Sequence, residues 1–171
     1  MKDFYSLAKE RYSCKQYDGR QVDAMVLEQI LEAGRLAPTA KNLQEQKIYV
    51  LQSEQALAIF DEATPCRYQA PTVLIVAYDK TNVYTYPGEE RDSGIEDATI
   101  VATHLMLAAA DLGVDSCWVN RLDPKELAKA LDLPDNEEIV MALDLGYHAP
   151  EGLPLANHMS RKPLTETVVY R

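Results

Sequence analysis

Apolar positions between Asp92 and Gly113 recur at helical spacing. Turning each residue by about 100° puts Ile95, Ala98, Val101, Ala102, Leu105, Met106, Ala108, Ala109 and Leu112 on one broad arc. Ile100 and Leu107 lie outside that arc beside Thr99, Thr103 and Ala110, so the helix has apolar partners on two sides. One side is the chain's own core; the other meets either a further helix of the chain or a second copy of it. Asp92 or Ser93 caps the start, Glu96 and Asp97 sit where the helix dipole favours negative charge, and Gly113 supplies the stop. The longest stretch free of Asp, Glu, Lys and Arg, Ala98 to Ala110, falls short of the roughly 20 residues a bilayer needs.

The remaining pattern is organised around this helix. Phe4, Leu7 and Ala8 predict a short first helix, followed by the polar segment RYSCKQYDG, closed by an Asp18-Gly19 turn. Asp23 caps a second helix with Val26, Leu27, Ile30 and Leu31 inward, ending near Arg35 before Pro38. Lys47–Leu51 reads as a strand, Ser53–Ala63 as a helix, and Thr72–Tyr78 as a continuous apolar strand of the buried type. Asp79–Arg91, with tyrosines and a Pro87-Gly88 turn, is a surface connection. Asp115–Asn120 is a strand, Asp123-Pro124-Lys125-Glu126 opens a helix, and Ile139–Leu145 is a further strand. The last segment holds Pro150, Pro154 and Pro163 and is mostly irregular, with TVVY (167–170) as a final strand that either wraps round the chain or crosses to a second subunit. Strands alternating with helices imply a mixed sheet between helical layers in one domain spanning 1–171.

Composition excludes more than it assigns. A formal net charge of −10 argues against a surface built for nucleic-acid backbones, so an anionic ligand must be met by a local cluster of cations. Three cysteines without a CxxC pair fit a reducing compartment, and MKDFYSLAKERYS lacks a signal-peptide core, which together place the protein in the cytoplasm. There is no GxGxxG and no Walker loop, and His104, His148 and His158 show no ligand spacing, so no metal is expected. Cys117 reads as a buried small hydrophobe; Glu89, Glu90 and Asp92 read as an acidic rim or, alternatively, as a source of a general acid or base.

The positive signal is Arg11-Tyr12-Ser13-Cys14-Lys15. In extended chain, residues two apart share a face, so Arg11, Ser13 and Lys15 present two cations and a hydroxyl together, either as a cradle for a phosphorylated ligand or as a solvated polar loop. Arg161-Lys162 is a second cationic pair, and the two suggest one anionic site assembled from both chain ends. The loop PTAKNLQ (38–44) adds Asn42 and Gln44, whose amides suit a heteroaromatic edge, unless it is a plain connection.

RYSCKQYD before an amphipathic helix, APTAKNLQ before a strand, a long helix running into LGVDSCWVNRLD, and LGYHAP with RKPL near the end occur in this order across nearly the whole chain. Together they resemble the short form of the FMN-dependent nitroreductase family. That resemblance implies an α+β intertwined homodimer, the long helix at its centre, the C-terminal strand reaching the partner, and an FMN at each of two subunit interfaces. Carried over, Arg11 and Ser13 contact the flavin phosphate and ribityl, and Lys15 lies near the N1/O2 edge, where a cation stabilises the reduced anion. Pro38, Thr39, Ala40, Asn42 and Gln44 approach from the other subunit, Trp118, Val119, Asn120 and Arg121 run past the ring, and Arg161 and Lys162 close on the phosphate. The implied activity passes a hydride from NADH or NADPH through the flavin to a nitroaromatic, quinone or similar flat acceptor, with ping-pong kinetics and no catalytic side chain of its own. The alternative is a flavin-binding storage or sensing protein of the same fold. Two departures from the family pattern stand out: Glu45-Gln46 after Gln44 where Pro-Trp is common, and Asn120-Arg121 where many members have glycine.

Overall fold

The computed structural model describes residues 3–88 and 90–171. In chain order these form α1 (Phe4–Glu10), α2 (Ala24–Arg35), a single 3-10 turn (Ala40–Asn42), β1 (Gln46–Leu51), α3 (Glu54–Ala63), β2 (Thr72–Asp79), α4 (Gly94–Asp111), β3 (Asp115–Val119), α5 (Pro124–Ala130), β4 (Glu137–Gly146) and α6 (Leu164–Thr167). The caps act as their residue types dictate. Asp23 accepts from the amides of Met25 and Val26, Ser53 from Ala56, and Asp123 from Lys125 and Glu126 behind Pro124. α4 departs from this rule: the Ser93 side chain makes no cap bond, and Asp92 Oδ1 instead accepts from the Gly94 amide at 2.9 Å.

The strands form one sheet in the order β1-β2-β4-β3. Every neighbouring pair is antiparallel, where the alternation of elements predicted a mixed sheet. The apolar run of β2 could not separate the two cases, because a sheet covered on both faces shows such a run whichever way its strands point. Successive side chains of β2 and β4 enter opposite layers. Leu74, Val76, Leu143 and Leu145 meet Ile30 of α2 and Val101 and Leu105 of α4, while Val73, Ile75 and Ala142 meet Phe60 of α3 and Leu127 of α5.

The core side of α4 is narrower than the predicted arc. Ala98, Val101, Ala102, Leu105 and Ala109 are fully buried, whereas Ile95 and Leu112 join Ile100 among the exposed residues. The helix therefore leaves an apolar surface open in the single chain. Close packing on the other side depends on Gly34 in α2, where a Cβ would stand 2.6 Å from Leu105 Cδ2.

The predicted final strand, TVVY (167–170), pairs with no strand of its own chain among the described residues. Leu164–Thr167 is one helical turn, Val168 is extended (φ −121°, ψ 129°), and Val169 and Tyr170 are exposed. An extended β-branched run becomes a strand only beside an open edge. The outer side of β3 already receives the Ser13–Cys14 segment, with the Cys14 amide donating to Ser116 O at 2.9 Å.

Candidate functional site

The segment after α1 is pinned along β3 and below it: Tyr17 N donates to Tyr68 O at 3.2 Å and Asp18 N to Tyr147 O at 2.9 Å. This extended course turns Cys14 and Tyr17 into the protein, both buried. Ser13 and Lys15 face a cavity of about 250 Å³ that is also lined by Cys66, Tyr68, Cys117, Trp118, Val119, Asn120 and Arg121. Six of the residues singled out in the sequence thus meet in one place. The Trp118 indole N–H donates to Asn120 Oδ1 at 2.9 Å and holds that side chain at the cavity rim. Lys15 Nζ lies 5.9 Å from the centre of the Tyr68 ring. Cys66 and Tyr68 had no sequence signal; they arrive from the α3–β2 connection, where Tyr68 adopts a left-handed φ of 53°.

Arg11 lies next door, in a cavity of about 270 Å³ shared with Tyr12, Asp115, Ser116 and His148. Its one side-chain hydrogen bond among the described residues goes to the thioether of Met106, at 3.5 Å. Burial, then the neighbouring Arg161, pull its pKa below the ordinary guanidinium value. Arg161 is brought there by the tail, which folds over α1: His158 Nε2 bonds Lys9 O at 3.0 Å, the His158 ring meets Tyr12 edge-on, and Arg161 donates to His158 O and Ser160 O. Two guanidiniums drawn together, one of them half-buried against a weak acceptor, form a ready site for an anion. Lys162 does not join them; it is largely exposed and pairs with Glu166 at 3.8 Å.

The loop Pro38–Gln44 is built tightly and elsewhere. Both Asp97 carboxylate oxygens accept from the Ala40 amide at 3.0 Å, and Thr39 Oγ1 accepts from Gln44 N at 3.0 Å. Gln44 Nε2 is spent on Asn42 O, and Asn82 Nδ2 donates to Leu43 O at 3.0 Å. Lys41, Asn42 and Gln44 all have positive φ. This loop is anchored at the first turn of α4, while Arg11 touches Met106 in its second half. At about 1.5 Å rise per residue, nine residues separate the two by roughly 13 Å along the axis. One chain therefore carries both predicted groups but does not bring them together.

Behind the first cavity the cysteines differ sharply. The Tyr68 hydroxyl, with help from Thr64, Arg121 and Lys15, lowers the pKa of Cys66. Burial, then Asp144, pushes Cys117 up to about 12, and burial raises Cys14. Asp144 is itself fully buried on β4 opposite Cys117, with neither carboxylate oxygen hydrogen-bonded among the described residues, and burial holds its pKa far above the carboxylate range. Thiolate is the reactive form, so Cys66 is expected to react first with iodoacetamide at pH 7.5, by at least about tenfold over Cys14 and Cys117. Peptide mapping after partial alkylation checks this; equal labelling of all three would contradict the assignment.

Among the described residues no group of three or more His, Cys, Asp and Glu could hold a metal ion, and no helix is long and apolar enough to cross a membrane. Glu89, one of the acidic-rim candidates, lies outside the described residues.

The Nitroreductase family model matches residues 8–69 and 63–147. A nitroreductase family protein from Clostridium difficile 630 has a crystal structure that superposes with a TM-score of 0.93 at 36% identity, covering 99% of this chain and 98% of that one. The NADH dehydrogenase of Thermus thermophilus is 26% identical over 201 residues, covering 99% of this chain and 96% of its own. An FMN-dependent nitroreductase from Clostridium difficile R20291 shares the fold at 24% identity, with a TM-score of 0.74 over 90% of this chain and 92% of that one. The antiparallel sheet between helical layers, the family match along most of the chain and the close superposition agree: the chain belongs to the nitroreductase family.

Proposed function

We propose that the protein is an FMN-dependent oxidoreductase that accepts a hydride from NADH or NADPH and delivers electrons to a nitroaromatic, quinone or similar flat acceptor in a ping-pong cycle. The observation that carries this reading is Arg11, a half-buried guanidinium with a thioether as its acceptor, beside Arg161 and adjoining the Ser13 and Lys15 cavity in a chain of net charge −10. Two guanidiniums so placed favour an anion between them, and a phosphate supplies one. The relatives' names point to the same chemistry, since one is an NADH dehydrogenase and another an FMN-dependent nitroreductase.

FMN, when bound, supplies the hydride-accepting atom and the redox chemistry. The chain's residues bind and orient. Arg11, Arg161 and the Ser13 hydroxyl hold the phosphate; Lys15 places positive charge where negative charge accumulates during reduction; Trp118, Val119, Asn120 and Arg121 wall the cavity. Pro38, Thr39, Ala40, Asn42 and Gln44 complete the site from a second copy of the chain, because their own loop stands too far from their own cations. The exposed Ile95 and Ile100 of α4 and Met25 of α2, with Leu112 and Leu36 just after those helices, give that copy an apolar surface to cover. Lys162 stays at the periphery.

The test is an anaerobic absorbance spectrum of the FMN-loaded protein before and after NADH and then NADPH. Bleaching of the flavin band, restored by a quinone or nitroaromatic, is the expected result and identifies the preferred donor. A bound flavin that neither nucleotide reduces overturns the reductase reading in favour of storage or sensing, and failure to retain FMN overturns the site.

A further inference from the structure

Glu45 directly follows the Pro38–Gln44 loop, and its side chain is turned inward, 2% exposed. It packs behind the Thr39–Gln44 loop against the start of α4. Ser93 Oγ lies 3.5 Å from its Oε1, its own carbonyl accepts from the Asp79 amide, and the Asp97 carboxylate is within hydrogen-bonding reach. Oε2 has no donor facing it among the described residues. Both Asp97 oxygens share the single Ala40 N–H, which leaves each with lone pairs for a further donor. Glu45 is the carboxyl with the unpartnered buried oxygen, and a proton on it, donated to Asp97, satisfies that oxygen.

We propose that Glu45 is a positioning residue for the flavin site: protonated, it locks the Thr39–Gln44 loop onto α4 through Asp97, and its ionisation releases that loop. This rests on the reading that the loop completes the site from a second copy. Burial first, and Asp97 after it, push the Glu45 carboxyl up to about 7, so the lock breaks within the neutral range. The neighbouring charges are otherwise engaged. Glu96 bonds Tyr86 and pairs with Arg91 at 3.5 Å, Asp79 is bonded by Thr81 and Asn136, Lys41 sits 4.5 Å over the Tyr84 ring, and Asp92 caps Gly94. The Tyr78 ring lies against Gly94 at the same helix start.

A carboxyl whose pKa is higher folded than unfolded contributes stability that is complete below its unfolded value and lost as pH rises through the folded one. The experiment measures FMN dissociation constants by flavin fluorescence from pH 5.5 to 9 for the wild type, Glu45→Gln and Glu45→Ala, alongside melting temperatures of the flavin-free proteins. Wild-type affinity is expected to fall by about tenfold between pH 6 and 8.5, the scale of one unit of coupled pKa. Glu45→Gln, which can still donate to Asp97, holds the low-pH affinity throughout, and Glu45→Ala is weak at every pH. Ionisation of the FMN phosphate affects all three proteins alike, so the difference between wild type and Glu45→Gln is the readout. The flavin-free wild type should lose melting temperature between pH 5 and 7 while Glu45→Gln does not. Parallel pH profiles for wild type and Glu45→Gln, in binding and in melting, overturn the proposal. A wild type that binds no FMN at any pH overturns the function reading, and the melting profiles then decide the Glu45–Asp97 lock by themselves.

Discussion

Arg11→Ala is expected to weaken FMN binding by roughly 100-fold, because a charge-assisted contact to phosphate contributes about 2–3 kcal/mol. The figure is that large because the guanidinium is held ready. It is half-buried, its thioether partner competes weakly, and Arg161 beside it makes the empty state less favourable. Lys9→Ala supplies the control. Lys9 stands in the last turn of α1, just before Arg11, its side chain is exposed, and its structural contact, the carbonyl that receives His158, survives the change. Arg11→Lys should fall between the two, keeping the charge but losing the fork. Equilibrium titration of FMN against each protein decides the matter, and equal loss from Arg11→Ala and Lys9→Ala would remove the phosphate cradle.

Gly94→Ala should be strongly destabilising for a single added methyl. A Cβ at Gly94 would stand 2.1 Å from Tyr78 Cε2 and under 2.7 Å from two further ring atoms. Tyr78 is 4% exposed on a strand paired on both sides, so the ring cannot swing clear. Overpacking of this kind costs about 3 kcal/mol, or roughly 10 °C of melting temperature in a chain of this size. Gly113→Ala, whose Cβ would meet nothing within 4 Å but whose φ is +75°, should cost only about 1 kcal/mol. Urea unfolding of both variants separates crowding from backbone strain; comparable losses would mean that Tyr78 yields. Because Gly94 adjoins Ser93 and the Glu45–Asp97 contact, weaker FMN binding is expected to accompany the loss of stability.

Local chemistry made most helices readable: Asp23, Ser53 and Asp123 each announce a helix start and each caps one. Alternation along an extended segment likewise put Ser13 and Lys15 on one face, and the structure places both in one cavity with the Trp118–Arg121 stretch. What stayed hidden depends on contacts remote in sequence. Strand direction left no trace in β2, and the width of the α4 core face followed from which residues α2 and the sheet reach rather than from periodicity. TVVY has strand-forming residues, yet among the described residues it pairs with no strand of its own chain. Glu45 looked like an anomaly next to Gln44, and only its burial against Asp97 explains it. Cys66 and Tyr68 come from a connection with no pattern of its own, yet they form part of the wall beside Lys15.

Three residues of the Pro38–Gln44 loop, Lys41, Asn42 and Gln44, sit in the left-handed region without being glycine. Asparagine tolerates this, but the other two each store about 1 kcal/mol or more. The bonds from Ala40 to Asp97, Gln44 to Thr39 and Asn82 to Leu43 hold that energy in place. Such a loop resembles a set spring: losing one clasp recovers part of the stored energy, so it lets go abruptly rather than by degrees. The loop is therefore expected to open before the layers beneath it, which faster amide exchange at 40–44 than in β2 would show.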